Sequence, residues 1–233
     1  MGNVHEFFFQ IYPYLAGSVF LLGSLLRFER GQYTWTSNSS ELLKRDTLRL
    51  GSNLFHVGVL FLFMGHVVGL LLPELFGMAG IGLRGHQLVA MISGGFFGFA
   101  CLVGLLLLIH RRVMNSRIRA TTHVMDLVVL IWILLTLSFG LATLYASARE
   151  LSGGYLIPLS QWARHIVTFR GGAASLAVEV PWVYQVHLVL GMTLFALIPF
   201  SRLVHVWSGF ALLSYLLRPY QVVRPGAPRR ERG

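Results

Sequence analysis

The chain has 233 residues, of which 55% are hydrophobic and only 12% are charged. Soluble domains carry about 25% charged residues, so the composition excludes an ordinary soluble domain and favours a membrane protein. The net charge of +10 does not indicate nucleic-acid binding, because the basic residues lie between apolar stretches. The single cysteine, Cys101, excludes an iron–sulfur cluster and a covalent c-type haem held by this chain alone.

Five apolar stretches are long enough to cross a hydrocarbon core of about 30 Å, which takes about 20 helical residues. The stretches are too continuous for barrel strands, and helices are the other way to satisfy a backbone in lipid. We therefore predict an all-α integral membrane protein, with one five-helix bundle over residues 1–220 and a basic tail over 221–233. The predicted spans are residues 7–26, 50–72, 86–109, 124–145 and 182–207.

Lys and Arg are distributed unevenly between the two ends of these spans. Fifteen lie in the first loop, the third loop and the C-terminal segment, and the remaining four lie in the second and fourth loops. Because cytoplasmic loops carry the excess of Lys and Arg, we expect a periplasmic N-terminus and a cytoplasmic C-terminus. The long fourth loop, 146–181, places Trp162, Ile166 and Phe169 on one helical face. This pattern predicts a short helix that either lies along the membrane surface or forms a lid.

Four histidines lie inside two predicted spans: His56 and His66 in the second, His187 and His205 in the fifth. An ionisable side chain inside a membrane indicates a function, although a neutral imidazole can simply bond a neighbouring helix. Two pairs on two helices favour axial ligation of two haems. Because both axial positions are then filled, such haems carry electrons and do not bind oxygen.

Antiparallel spans pair His66 with His187 at the outer end and His56 with His205 at the inner end. On ideal helices the two separations are about 15 Å and 27 Å, so straight parallel helices do not fit both pairs. Tilt, oblique haem planes or a kink at Pro199 would absorb the difference. Nearby glycines leave room either for a flat macrocycle or for tight helix packing: Gly58, Gly65, Gly69 and Gly191.

Several stretches together resemble one family: FFFQIYPYLAGSVFLLGSLLRFERGQYTW, SNLFHVGVLFLFMGHVVGLL, RIRATTH, WARHIVTFRGGA and HLVLGMTLFALIPFSRLVHVWS. They resemble the gamma subunit of membrane-bound respiratory nitrate reductase, a di-haem cytochrome b that anchors its complex in the bacterial inner membrane. The resemblance covers nearly the whole chain.

The resemblance implies that His66 and His187 bind the haem distal to the catalytic partners and that His56 and His205 bind the proximal haem. It further implies oxidation of menaquinol or ubiquinol near the distal haem, on the outer side. Electrons would then pass to an iron–sulfur subunit and a molybdenum subunit in the cytoplasm, where nitrate is reduced.

One position departs from the family, whose well-known form has a lysine at the quinol site where this chain has His86. We predict that quinol binds between Gly65, His66 and His86, because histidine titrates near neutral pH and can take a proton from quinol. Alternatively, His86 is a surface histidine at the end of a helix and has no role in quinol binding. The change leaves the type of quinone open.

Weaker predictions concern charges at the inner end, where Arg111, Arg112 and Arg202 either pair with haem propionates or extend to lipid headgroups. Asp126 falls in the first turn of the fourth span and is interpreted as structural. Three other functions remain open: a di-haem subunit of a formate dehydrogenase, hydrogenase or heterodisulfide-type complex, a haem-free anchor, and a proton-coupled transporter. The absence of an internal repeat disfavours the transporter.

Overall fold

A computed structural model describes residues 2–31 and 46–207. These residues form helices and turns, with no strand among them, and five of the helices are long and apolar enough to cross a membrane. The prediction of an all-α chain with five spans is confirmed for this part of the chain, and the predicted tail 221–233 lies outside the described residues. Spans one to five are Val4–Arg30, Leu48–Leu71, Leu83–Met114, Val124–Arg149 and Trp182–Phe200.

Most spans are a few residues longer than predicted, because the helices continue into polar residues at their ends. Shorter helices connect or follow them. One π-helical turn, Phe7–Ile11, lies within span one, and another, Val67–Leu71, ends span two. The other helices are Glu74–Met78, Ser116–Ala120, Leu156–Val167 and Ala173–Val178. We refer to the end of the bundle where span one begins as the N-terminal face, and to the end where span five stops as the C-terminal face.

Span five is shorter than predicted and stops well before residue 207. Its α-helix is Trp182–Leu197, and the 3₁₀ turn Ile198–Phe200 completes it. A second 3₁₀ turn, Arg202–His205, follows extended Ser201, so His205 lies just beyond span five and not inside it as predicted. Pro199 is the physical cause, because its ring has no N–H and clashes with the preceding helical turn. The guanidinium of Arg27 donates to the Pro199 carbonyl at 2.6 Å and to the Ser201 carbonyl at 2.9 Å, which satisfies backbone groups at this break.

Spans two and three pack closely through small residues. A Cβ at Gly104 would lie 2.4 Å from the backbone nitrogen of Phe55, and a Cβ at Gly58 would lie 2.6 Å from Cβ of Cys101. Gly58 therefore serves helix packing, one of the two roles open from the sequence. Cys101 is buried in the same contact.

The segment between spans four and five folds over the N-terminal face. Trp162 is 4% exposed and donates from its indole nitrogen to the Phe9 carbonyl at 3.0 Å. Ile166 packs in the same cluster, whereas Phe169 is 82% exposed and stacks on Tyr14. The expectation of one common face is therefore wrong for Phe169. Helix Leu156–Val167 packs inward against spans one and two, which favours a cover over a helix lying on the membrane surface.

Candidate functional site: two histidine pairs and an apolar cavity

His66 and His187 face each other near the N-terminal face, with ring centroids 5.9 Å apart and planes inclined by 36°. His66 ends the α-helical part of span two, directly before the π turn Val67–Leu71, a feature frequent at functional sites. Its Nδ1 lies 2.7 Å from the Leu62 carbonyl. Nδ1 of His187 lies 2.9 Å from the Thr136 carbonyl of span four.

His56 and His205 form the second pair, nearer the C-terminal face, with ring centroids 6.2 Å apart and planes inclined by 62°. Nδ1 of His56 lies 2.7 Å from the Ser52 carbonyl, one helical turn back. Nδ1 of His205 lies 2.6 Å from the Arg202 carbonyl. Because His205 sits in a 3₁₀ turn after the break at Pro199, the separation calculated for a straight helix does not apply to it.

In all four rings Nδ1 lies within hydrogen-bonding distance of a backbone carbonyl. A carbonyl oxygen only accepts hydrogen bonds, so each Nδ1 carries the hydrogen and each Nε2 keeps its lone pair. The ring centroids of the two pairs, 5.9 Å and 6.2 Å apart, leave room for one metal atom between the imidazoles. The residues therefore fit two haems, whose irons these Nε2 atoms would hold.

The glycines near these rings fall into two groups. A Cβ added at Gly65, Gly94 or Gly191 would meet no atom within 4 Å, so these positions border open space. A Cβ at Gly140 would instead lie 2.8 Å from Cε1 of His187. Sequence reasoning missed Gly140, because the contact joins two spans and no local pattern marks it.

A cavity of about 310 Å³ adjoins the His66–His187 pair on the N-terminal side. His86 lines it and is only 2% exposed, with its ring stacked on Phe76 at 3.7 Å between centroids. Its Nε2 has no hydrogen-bond partner among the described residues. The alternative of a surface histidine at a helix end is therefore wrong. The many other residues that line the cavity include Gly65, His66, Gln87, Tyr155 and His187.

Gln87 is a cavity residue that the sequence analysis did not single out. It is 5% exposed, and its Nε2 donates to the carbonyls of Ser147 at 3.0 Å and Glu150 at 2.5 Å. The Ser147 hydroxyl in turn lies 2.5 Å from the Tyr184 hydroxyl. Gln87 thus joins span three to the end of span four beside the cavity. A glutamine following a histidine gives no sequence signal of this role.

Two carboxylates outside the spans, at the N-terminal face, have lowered pKa values. The pKa of Glu150 is lowered because the Ser152 hydroxyl donates to its carboxylate, helped by the Gly154 backbone N–H at 2.6 Å. The pKa of Glu74 is lowered by its own backbone N–H and by Arg164, whose guanidinium lies 2.5 Å away.

Asp126 organises the basic residues near the C-terminal face. It is 8% exposed and forms ion pairs with Arg112, at 3.0 Å between nitrogen and oxygen, and with Arg202, at 2.8 Å. Its carboxylate also accepts the backbone N–H of His123 at 3.1 Å, which caps the start of span four. The structure thus places Arg112 and Arg202 against Asp126, and Arg111 is buried nearby on span three. Their contact with haem propionates stays a prediction.

These features define a multi-pass helical membrane protein with two facing histidine pairs at different depths and an apolar cavity beside one of them. The chain belongs to the nitrate reductase gamma subunit family, whose model matches residues 5–226. The family of the sequence resemblance is therefore confirmed.

The chain is similar to three curated proteins over nearly all of their length. It is 46% identical to the respiratory nitrate reductase 1 gamma chain of Escherichia coli, over 96% of this chain and 99% of that protein. It is 44% identical to the nitrate reductase 2 gamma chain of the same organism, over 95% and 97%. Identity to the nitrate reductase gamma chain of Bacillus subtilis is 38%, over 92% and 95%.

Proposed function

We propose that this chain is the di-haem b subunit of a respiratory nitrate reductase and that it oxidises quinol on the N-terminal face. The observation that carries the proposal is the facing arrangement of two histidine pairs, each ring with Nδ1 bonded to a carbonyl and Nε2 left for a metal. Membership of the gamma subunit family supports it over the formate dehydrogenase and hydrogenase alternatives.

In this proposal His66 and His187 hold the distal haem, and His56 and His205 hold the proximal haem. When bound, the haems supply one-electron carriage between the two faces of the bundle. The backbone carbonyls that accept from Nδ1 fix each ring's orientation and raise the basicity of the ligating nitrogen. Gly65 and Gly191, beside the pairs, border open space in which a flat macrocycle can lie.

Quinol, as menaquinol or ubiquinol, binds in the cavity between Gly65, His66 and His86. Its oxidation yields quinone, two protons and two electrons, and His86 Nε2 accepts one of the protons as a general base. The support for this role is that His86 Nε2 is buried in the cavity wall without a hydrogen-bond partner among the described residues. The two electrons reduce nitrate, with two protons, to nitrite and water on the partner subunits.

The C-terminal face lies toward the cytoplasm of a bacterial inner membrane. The support is the excess of Lys and Arg in the segments at that end, fifteen against four. An iron–sulfur subunit and a molybdenum subunit dock there and receive the electrons. Moving one charge across the bilayer is worth about 2.3 kcal/mol per 100 mV, so inward electron transfer and outward proton release conserve energy.

The test is a reduced-minus-oxidised absorption spectrum of the purified complex with each of the four histidines replaced in turn by leucine. Each variant is expected to lose about half of the low-spin b-type signal, since each pair holds one of two haems. His165→Leu is the matched control, because His165 bonds the Gly171 carbonyl outside the spans. A wild-type complex without a b-type signal, or four leucine variants with the full signal, would contradict the proposal.

A further inference from the structure

Gln87 lines the proposed quinol cavity, and among the described residues its amide has an acceptor, but no donor, left without a partner. Its amide has two N–H groups, and two carbonyls of span four and its end, Ser147 and Glu150, take both. Turning the amide over would put oxygen against these two oxygens, so the orientation is fixed. The remaining polar atom, Oε1, is buried and has no hydrogen-bond partner among the described residues.

A buried acceptor without a partner costs stability unless a ligand or water supplies a donor. The two redox forms of the proposed substrate differ in this respect. Quinol carries two O–H donors, whereas quinone carries two carbonyl acceptors and no donor. Gln87 Oε1 can therefore bond the reduced form and can only repel the oxidised form.

We infer that Gln87 makes the site selective for quinol over quinone, by accepting a hydrogen bond from one quinol hydroxyl. The inference rests on the proposed function and adds a specificity-determining residue to it. Oxidation releases the proton of this hydroxyl to the outer side, and the two electrons go on to nitrate, so the product quinone has no donor for Gln87 Oε1 and is released. His86 does not discriminate in this way, because Nε2 accepts a proton from quinol in the proposed function and can then donate it in a hydrogen bond to the product quinone.

The experiment measures KM for a short-chain quinol and the inhibition constant of the matching quinone, using the complete complex in detergent. Gln87→Met is expected to lower the ratio of inhibition constant to KM about five- to tenfold, through a higher KM for quinol. Gln87→Glu, with a protonated carboxyl at this buried position, keeps an acceptor and is expected to keep most of the selectivity. Equal loss in both variants would assign Gln87 to helix anchoring alone and overturn the inference.

Gln10→Met is the matched control. Gln10 also fixes backbone between spans four and five, donating to the Arg170 carbonyl at 3.3 Å and accepting from the Ala173 N–H at 2.7 Å. It does not line the cavity, so its ratio should equal that of the wild type. Nitrate reduction driven by a soluble dye, which bypasses quinol, reports whether each variant complex is assembled.

A second measurement compares inhibitors. A phenolic inhibitor should bind the wild-type complex at least fivefold more tightly than its methyl ether, which lacks the O–H donor, and Gln87→Met should lose most of this preference. Equal inhibition by the two would overturn the inference. A wild-type complex that quinol does not reduce at all would contradict the proposed function, whereas normal reduction with unchanged selectivity in Gln87→Met would contradict this inference alone.

Discussion

Gly140 of span four lies directly against the imidazole ring of His187 in span five. A Cβ at Gly140 would be 2.8 Å from Cε1 and 3.2 Å from Nδ1 of that ring. Because Nδ1 is held by the Thr136 carbonyl on the same span, the ring has little room to move. His187 can therefore take this orientation only because residue 140 is a glycine and has no side chain.

Gly140→Ala should displace His187 and reduce binding of the distal haem. The added methyl group should lower the free energy of unfolding by about 1–3 kcal/mol, as is typical of overpacking. The measurement is the b-type spectrum, where up to about half of the signal should be lost. Gly17→Ala is the control, because a Cβ there meets no atom within 4 Å. If Gly140→Ala bound two haems as tightly as Gly17→Ala, the proposed role of His187 would be in doubt.

Arg27 is predicted to hold the end of span five in place for His205. Its guanidinium donates to the carbonyls of Pro199 and Ser201. Removing the Arg27 side chain would leave both carbonyls without this donor and lower the free energy of unfolding by about 3 kcal/mol. Arg27→Ala should therefore weaken retention of the proximal haem while the distal haem stays bound. Haem content after detergent washing measures this, and Arg27→Lys, which keeps one donor group, should fall between. A loss of the distal haem instead would contradict the prediction.

Asp126 is predicted to be a more costly carboxylate to neutralise than Glu74. It is buried and faces both Arg112 and Arg202, so Asp126→Asn removes the negative charge that both guanidinium groups contact. The free energy of unfolding should fall by about 3–5 kcal/mol, which is measured as a lower unfolding temperature in detergent. Glu74→Gln breaks an exposed pair with Arg164 and should leave that temperature nearly unchanged. Equal effects would show that burial does not determine the cost.

Glu150 should make the turn after span four sensitive to acid. Its folded-state pKa lies below the ordinary value of 4.5, so the carboxylate stabilises the turn above that value and the stabilisation is lost as pH falls through the lowered pKa. Hydrogen exchange at the backbone amides of Ser152 and Gly154 should therefore speed up in acid, relative to amides in span four. Glu150→Gln should show weak protection at neutral pH and little further change on acidification. If the protection of these amides from exchange in the wild type stayed constant as the pH fell from neutral to below the lowered pKa of Glu150, the prediction would be refuted.

The sequence by itself determined the number and type of spans, because each apolar stretch is long enough to cross a bilayer and backbone groups in lipid must bond within the segment. It also singled out His56, His66, His187 and His205, since ionisable side chains are rare at such depths. The family followed from motifs spread along nearly the whole chain.

Tertiary structure alone decided how these residues meet. The break at Pro199 means that the straight-helix separation does not apply to His187 and His205, and Arg27 from span one donates to the carbonyls at that break. Gly140 against His187, and Gln87 between the Ser147 and Glu150 carbonyls, join residues more than 40 positions apart in the chain. Helical periodicity fixes which residues share a face, but lipid is as apolar as leucine, so hydrophobic pattern does not tell which helix a face will contact.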